Sequence, residues 1–530
     1  MLKQFSIVVL LIISFSGFAQ YPTNPVKSTS TKDRLAAVKQ RKKLRNQSLY
    51  LGVEAKNIGP TIMSGRVVDL AVDPTNSHHF FVAYATGGVW ETKNNGQSFD
   101  PIFDKNGYTN NCGALAADWE NKILYVGTGE ANSSRSSYAG YGVFKSPMAE
   151  NSSNWHSWEY IGLAETQHIG RIIIDPKNSN KLYVAAVGNL FSPNKERGVY
   201  ITSDGGKTWT QSLAINDNTG AIDLEINPKD PNQIMVAMWE RTRRAWNFWE
   251  GGEGSGIYIS KDAGKSWTRS STFPQNKKVG RIGLSISNDG TVYGLLDNQN
   301  RTTKPKKTEI GLNKKSFRDM TVDSFQNLTD SVLNKFLKDN RFPEKYNSKK
   351  LQKLVRKGEL KPLDLFNYLT DSNAALFEDP VIGAELYRSN DFGKTWNKTH
   401  QEDLEKVAYS YGYYFGTVST NPSNSAEVFI AGVPLLKSLD SGKTFQFAGG
   451  ENVHVDHHSL WINPNNHRHL INGNDGGINI SYDGGENWIK CNSPAVGQFY
   501  TVQVDNNKNY NVYGGLQDNG VWKGPNTYSY

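Results

Sequence analysis

Hydrophobic and polar positions alternate along this chain in short runs that end in turn signals. Residues 66–74 (RVVDLAVDP), 171–176 (RIIIDP), 221–228 (AIDLEINP), 417–422 (TVSTNP) and 459–464 (SLWINP) each read as a strand running into a turn at Asp or Asn followed by Pro. A second apolar run follows each turn, at residues 79–84, 181–187, 233–238, 427–431 and 469–473, and a third run enters a hairpin whose sequence recurs. That hairpin is TSDGGKTW at 202–209, SKDAGKSW at 260–267, SNDFGKTW at 389–396, SLDSGKTF at 438–445 and SYDGGENW at 481–488, with a weaker copy, TKNNGQSF, at 92–99. In each, a carboxylate (Asp204, Asp262, Asp391, Asp440, Asp483) is expected to accept hydrogen bonds from turn amides. Glycine supplies positive φ, and the aromatic is expected to pack below its own hairpin. Repetition in every unit assigns these aspartates to structure rather than chemistry.

Taken between first-turn positions, from Asp73 through Asp118, Asp175, Asn227, Asn288, Asn421 and Asn463 to Asp505, the units recur every 42 to 61 residues, with one interval of 133. Four strands at that period predict an all-β propeller of about seven to eight blades, each carrying an Asp-box hairpin at one end. The long interval holds a different period: Phe317, Met320, Leu328, Val332 and Phe336, then Leu351, Leu354 and Val355, fall at helical spacing. Residues 301–380 are therefore expected to form a helical insertion in blade five. An eighth unit starts at Phe499 and offers three strands. Ring closure is expected to recruit residues 53–60 as its fourth strand, leaving no open sheet edge; otherwise residues 51–530 are the front of a longer propeller.

Composition adds a leader and a compartment. Residues 1–20 begin with Lys3, run apolar from Phe5 to Phe15 and offer Gly17, Phe18 and Ala19 before Gln20, the pattern of a cleaved signal peptide. A secreted or periplasmic protein is expected, with no transmembrane segment. The formal net charge is +8, but residues 21–50 carry eight Lys and Arg against Asp33 alone, and Lys3 supplies the remaining excess. The rest of the chain is neutral, which argues against a nucleic-acid partner, and the basic segment reads as a solvated, partly helical leader, with contact to an anionic envelope surface as the alternative. Two cysteines, Cys112 and Cys491, make no disulfide framework, and their spacing leaves open whether they pair.

In a propeller the loops entering the inner strands and those between second and third strands share one face, here called the top. That topology gathers Glu130, Asp475 and Asp518 there as candidate acid and base for glycosidic chemistry, which needs two carboxylates about 5 to 10 Å apart. It also gathers Arg241, Arg243, Arg244, Trp246, Trp249 and Gln517, guanidinium, aromatic and amide groups suited to gripping a sugar ring or a peptide. His454, Asp456, His457 and His458 precede the inner strand of blade seven. They would serve either a divalent metal or a polar network at the channel mouth, and no other cofactor is expected.

The hairpins resemble the Asp-box (BNR) repeats of secreted propellers. Residues 51–530 as a whole look like bacterial sortilin/Vps10-type and glycosyl-hydrolase-like BNR proteins, and the segments AKNIGPTIMSGRVVDLAVDP, YVGTGEANSSRSS, ERTRRAWNFWEGGEGSG, DHHSLWINP, GNDGGINIS and GGLQDNGVWKGP together resemble one family of large exported Bacteroidetes-type propeller proteins. Sialidases of this architecture imply an arginine triad; Arg66, Arg171 and Arg281 each follow a glycine at an inner-strand start, but they read more simply as salt-bridged repeat positions. Xyloglucanase-type hydrolases imply a catalytic Asp before Gly87-Gly88, where this chain has Thr86. Sortilin-like receptors imply peptide binding without chemistry. The expected function is therefore a non-catalytic propeller binding an extracellular glycan or peptide on its top face, with glycoside hydrolysis as the alternative.

Overall fold

The computed structural model describes residues 27–53, 55–149, 155, 157–244, 247–301, 312–340, 342–369, 381–491 and 494–527. Among them are seven four-stranded antiparallel sheets, one three-stranded sheet and a two-stranded hairpin. The inner strands of blades one to seven are Val67–Val72, Cys112–Asp118, Ile169–Asp175, Thr219–Ile226, Val279–Ile286, Thr417–Asn421 and His457–Ile462. Each packs beside the next, and that of blade seven packs beside that of blade one, so the ring closes with seven blades.

Side chains on the inner strands stitch neighbouring blades together. Asp69 of blade one accepts from the N–H of Leu115 in blade two at 2.8 Å, and Asp223 of blade four accepts from Leu284 in blade five at 2.9 Å. Ser285 of blade five does the same for Thr420 of blade six at 2.9 Å. Backbone donors that face a neighbouring blade rather than a ladder partner are thereby satisfied. Farther out, apolar side chains interdigitate: Phe81 and Val89 of blade one meet Leu115, Leu124 and Phe144 of blade two. At the closing seam Ile471 and Ile478 of blade seven meet Val67, Phe80 and Trp90 of blade one.

The Asp boxes share one geometry. The first carboxylate oxygen of Asp204, Asp262, Asp391, Asp440 and Asp483 accepts the backbone N–H four residues on, at 2.9 Å in every copy. In the weaker copy Asn94 accepts from the N–H of Ser98 at 3.0 Å. Gly206, Gly264, Gly393, Gly442 and Gly485 hold φ between 80° and 93°, the left-handed region that excludes most side chains. Phe99, Trp396 and Trp488 lie against the glycines of their own hairpins, and three of the box indoles also reach the preceding blade. Trp209 donates to the carbonyl of Ile161, Trp267 to the hydroxyl of Ser212 and Trp488 to the carbonyl of Ala448, each at or beside the outer strand of the preceding blade. The boxes therefore join blades as well as closing turns.

Two expectations are corrected. Val53 and residues 55–60 form no strand, and the three-stranded sheet, Phe499–Val504, Asn511–Leu516 and Gly520–Pro525, lies outside the ring. Blade seven already covers the flank of blade one, so no gap is left for an eighth blade. The leader is not simply solvated either: helix α1 (Thr31–Asn46) is capped by Ser30 and docked on the top loops of the early blades. Arg34 donates to the carbonyls of Ala164 and Gly140 and lies over the ring of Tyr141, while Arg41 donates to the carbonyl of Tyr108 at 2.9 Å.

The insertion sits between the second and third strands of blade five as short helices, Val322–Gln326, Asp330–Asp339, Ser348–Arg356 and Pro362–Leu369. Phe317, Phe325, Leu333, Phe336, Leu351 and Val355 form its own core, whereas Val332 is exposed. Cys112 and Cys491 are both buried free thiols. Residues 1–20 lie outside the described residues, and no described helix is long and apolar enough to cross a membrane.

Candidate functional site at the channel mouth

The top-face loops converge at the seam of blades one, two and seven. Arg66, at the start of the first inner strand, donates to Glu130 through Nε at 2.7 Å and a terminal nitrogen at 3.2 Å. Ser137 and Asn132 complete the shell of Glu130 at 2.9 and 3.3 Å, and its side chain is fully buried. Asp475, from the matching loop of blade seven, lies 4.0 Å from the other terminal nitrogen of Arg66 and 2.9 Å from Nε2 of His458. Burial, with Arg66 nearby, holds His458 neutral, its pKa lowered to about 3, so its contact with Asp475 is a hydrogen bond rather than an ion pair.

Burial raises Asp475 to about 6 against the pull of Arg66, with Asp518 of the outlying sheet as a neighbouring carboxyl. Asp518 is raised by burial and by Asp475; Asp456 is raised to about 6 by burial and by the same neighbour. Thus the structure brings Glu130, Asp475 and Asp518 into one network, but two of the three are buried and bound.

His454, Asp456, His457 and His458 do not converge. His457 Nδ1 faces Asn472 at 2.8 Å, His458 faces Asp475, and His454 Nδ1 faces the carbonyl of Val455 at 2.6 Å. Among the described residues no group of three or more His, Cys, Asp or Glu side chains is placed to hold a metal ion.

The basic and aromatic loop of blade four becomes a small hairpin, Thr242–Arg243 against Phe248–Trp249. Arg241 at its root is 1 % exposed and donates to the carbonyls of Gly188, Asn189 and Leu190, so it ties blade four to blade three and is out of a ligand's reach. Arg243 is also buried, its guanidinium 4.4 Å from the ring centre of Phe248 and 5.3 Å from that of Tyr413. Arg244 and Gln517 are half-buried, and Trp249 is 65 % exposed. Trp246 lies outside the described residues.

Two residues at the mouth, Tyr413 and Tyr414, escaped the sequence reading. Arg281 donates to Asn132 at 2.8 Å and to the carbonyls of Tyr413 and Tyr414, and Tyr414 lies over the guanidinium of Arg66. The hydroxyl of Tyr414, Nε of Arg281, and Nε and one terminal nitrogen of Arg243 have no hydrogen-bond partner among the described residues. The aromatic run 408–415 (AYSYGYYF), ahead of the inner strand of blade six, was the available signal.

Below the mouth, a cavity of about 260 Å³ occupies the channel. Arg171 of blade three crosses it to Asp223 at 3.2 Å, Glu225 at 3.5 Å and Asp69 at 4.0 Å. Burial raises Glu225 to about 8 despite Arg171. Arg66 and Arg171 are thus salt-bridged as expected, while Arg281 makes its bonds to an amide and to carbonyls.

Comparison with known proteins agrees with this architecture. A family model described as Sortilin, neurotensin receptor 3, matches residues 151–340. A probable oligoxyloglucan-reducing end-specific xyloglucanase of Neosartorya fischeri is 27% identical over 150 residues, which are 26% of this chain and 16% of that protein. Among solved structures, the GH74 xyloglucanase from Xanthomonas campestris aligns with a TM-score of 0.56 at 12% identity, covering 88% of this chain and 60% of that one. The GH74 enzyme of Niastella koreensis aligns with a TM-score of 0.54 at 14% identity, covering 90% of this chain and 61% of that one. The chain therefore spans under two thirds of these relatives. It is a β-propeller of the Asp-box type, similar to sortilin/Vps10 proteins and to glycosyl-hydrolase propellers.

Proposed function

We propose that this chain is a non-catalytic binding propeller that takes an extended ligand, a glycan or a peptide, across the top-face channel mouth. The observation that carries the reading is the state of the candidate acids: Glu130 is closed in by Arg66, Ser137 and Asn132, and Asp475 is held between Arg66, His458 and Asp518. A hydrolase needs an acid that reaches the glycosidic oxygen and a second carboxylate at a set distance, and Glu130 and Asp475 are spent on Arg66, Ser137, Asn132 and His458. The mouth offers an exposed indole at Trp249 and the half-buried Arg244 of the same hairpin. These suit stacking and hydrogen bonding.

Hydrolysis is the second reading, favoured by the xyloglucanase similarity and by Asp456, which is raised to about 6 and carries no clamp like that of Glu130. One experiment separates the two. Binding of soluble polysaccharides and of a peptide library is measured for the unaltered protein and for Trp249→Ala, beside reducing-end release from the same polysaccharides. Binding that weakens about tenfold in Trp249→Ala, with no reducing ends released, supports the binder. Turnover that disappears in Asp456→Asn would instead establish the hydrolase.

A further inference from the structure

Helix α1 has two cationic faces, and the propeller uses one of them. Arg34, Val38, Arg41 and Lys42 turn toward the top loops, with Val38 buried and Lys42 4.8 Å from the ring centre of Tyr108. At about 100° per residue, Lys32, Lys39 and Lys43 fall within a sector of about 40°, roughly 135° round the helix from the docked face, and span about 16 Å along the axis. All three are exposed. Because the inner face is pinned by arginine-to-carbonyl bonds, this outer stripe is held in a fixed orientation.

Immediately after the helix the chain makes two successive turns. Ser48 accepts the N–H of Tyr50 on its hydroxyl and that of Leu51 on its carbonyl, and the carbonyl of Tyr50 accepts from Val53. The turns present apolar side chains to solvent: Leu49 is 99 %, Tyr50 76 %, Leu51 61 % and Val53 68 % exposed, and Leu44 in the last helical turn is 57 % exposed. Isolated exposed apolar residues need no explanation, but five within ten residues of one another, four of them on hydrogen-bonded turns, do. They stand beside a lysine stripe on a protein whose remaining surface carries no net charge.

We propose that α1 and the turn at residues 48–53 form a peripheral docking site for an anionic lipid surface. The lysine stripe meets lipid phosphates, and Leu49, Tyr50, Leu51 and Val53 enter the boundary between headgroups and acyl chains. The two signals suit one partner: surface lysines are drawn to anionic headgroups, and apolar and aromatic tips partition into the interface. A soluble polyanion would account for the lysines and leave the apolar turn unexplained. Either signal alone gives weak attachment, and together they give a reversible, salt-sensitive one.

The test is co-sedimentation of the full chain with vesicles of phosphatidylcholine and phosphatidylglycerol in equal parts, beside vesicles of phosphatidylcholine alone. Two variants accompany it, Lys32→Glu/Lys39→Glu/Lys43→Glu and Leu49→Ser/Tyr50→Ser/Leu51→Ser, with circular dichroism as the folding control. The expected result is binding to the anionic vesicles that falls at high salt and drops at least about tenfold in each variant. Equal binding to neutral vesicles, binding that survives either set of substitutions, or no binding to vesicles alongside capture of soluble polyglutamate would overturn the proposal.

Discussion

Arg66 of blade one and Glu130 of blade two are joined by two hydrogen bonds, 2.7 and 3.2 Å, in a site that water does not reach. A carboxylate left alone in such a place is far less stable than one that is paired. Arg66→Met should therefore destabilise the protein by about 3 to 5 kcal/mol, and the double variant Arg66→Met/Glu130→Met should recover much of that loss. Urea unfolding of the two variants provides the comparison; equal losses would show that the pair contributes nothing beyond packing.

The Asp boxes predict how the fold responds to acid. Hydroxyls of Ser266 and Thr444, and then the N–H groups of the same residues, hold Asp262 and Asp440 down at about 2, below the unfolded value of about 3.9. A depressed carboxylate stabilises the fold above its unfolded pKa, and that contribution fades as pH falls toward the folded one. Thermal stability should drop between about pH 4 and pH 2. Asp262→Asn/Asp440→Asn should start lower and lose less across that window, and a parallel loss would refute the assignment.

Asp475 predicts the opposite slope. Raised to about 6, it keeps a proton that the unfolded chain releases above about pH 4, so its contribution declines as pH rises from 4 to 6 and is level beyond. The decline should be on the order of 2 kcal/mol. Asp475→Asn should flatten it, leaving the share due to Asp456, as a pH series of denaturant midpoints will show.

The helical insertion has its own core, formed by Phe317, Leu333, Phe336 and Leu351, apart from the blades. Replacing residues 302–380 by a short Gly/Ser linker should leave the strands Val292–Arg301 and Val381–Ser389 paired and the propeller cooperative in unfolding. Aggregation of that variant would show that the helices complete the ring.

Local chemistry made most of the fold legible. The Asp-box spacing and the turns after Asp73, Asp175, Asn227, Asn421 and Asn463 located the blades, because each feature satisfies backbone groups within its own hairpin. Ring closure was misread because it depends on Ile471 and Ile478 meeting Val67 and Phe80, a match between surfaces some 400 residues apart that no local pattern encodes. At the site, loop topology gathered Glu130, Asp475 and Asp518 on one face. It could not show that Arg66 would occupy Glu130, or that Arg241 would turn inward to the carbonyls of blade three. Tyr413 and Tyr414 were passed over because an aromatic run reads as core until its hydroxyls are placed.

The seam between blades seven and one also sets a timetable for synthesis. All four strands of blade one lie within residues 67–101 and all four of blade seven within 457–490, so no strand is exchanged to lock the ring. Val67, Phe80 and Trp90 must therefore wait for Ile471 and Ile478 to leave the ribosome, and at roughly 5 to 20 residues per second that is about 20 to 80 s. Over that interval the nascent chain carries an uncovered apolar flank, which makes blade one the surface a holding chaperone would guard.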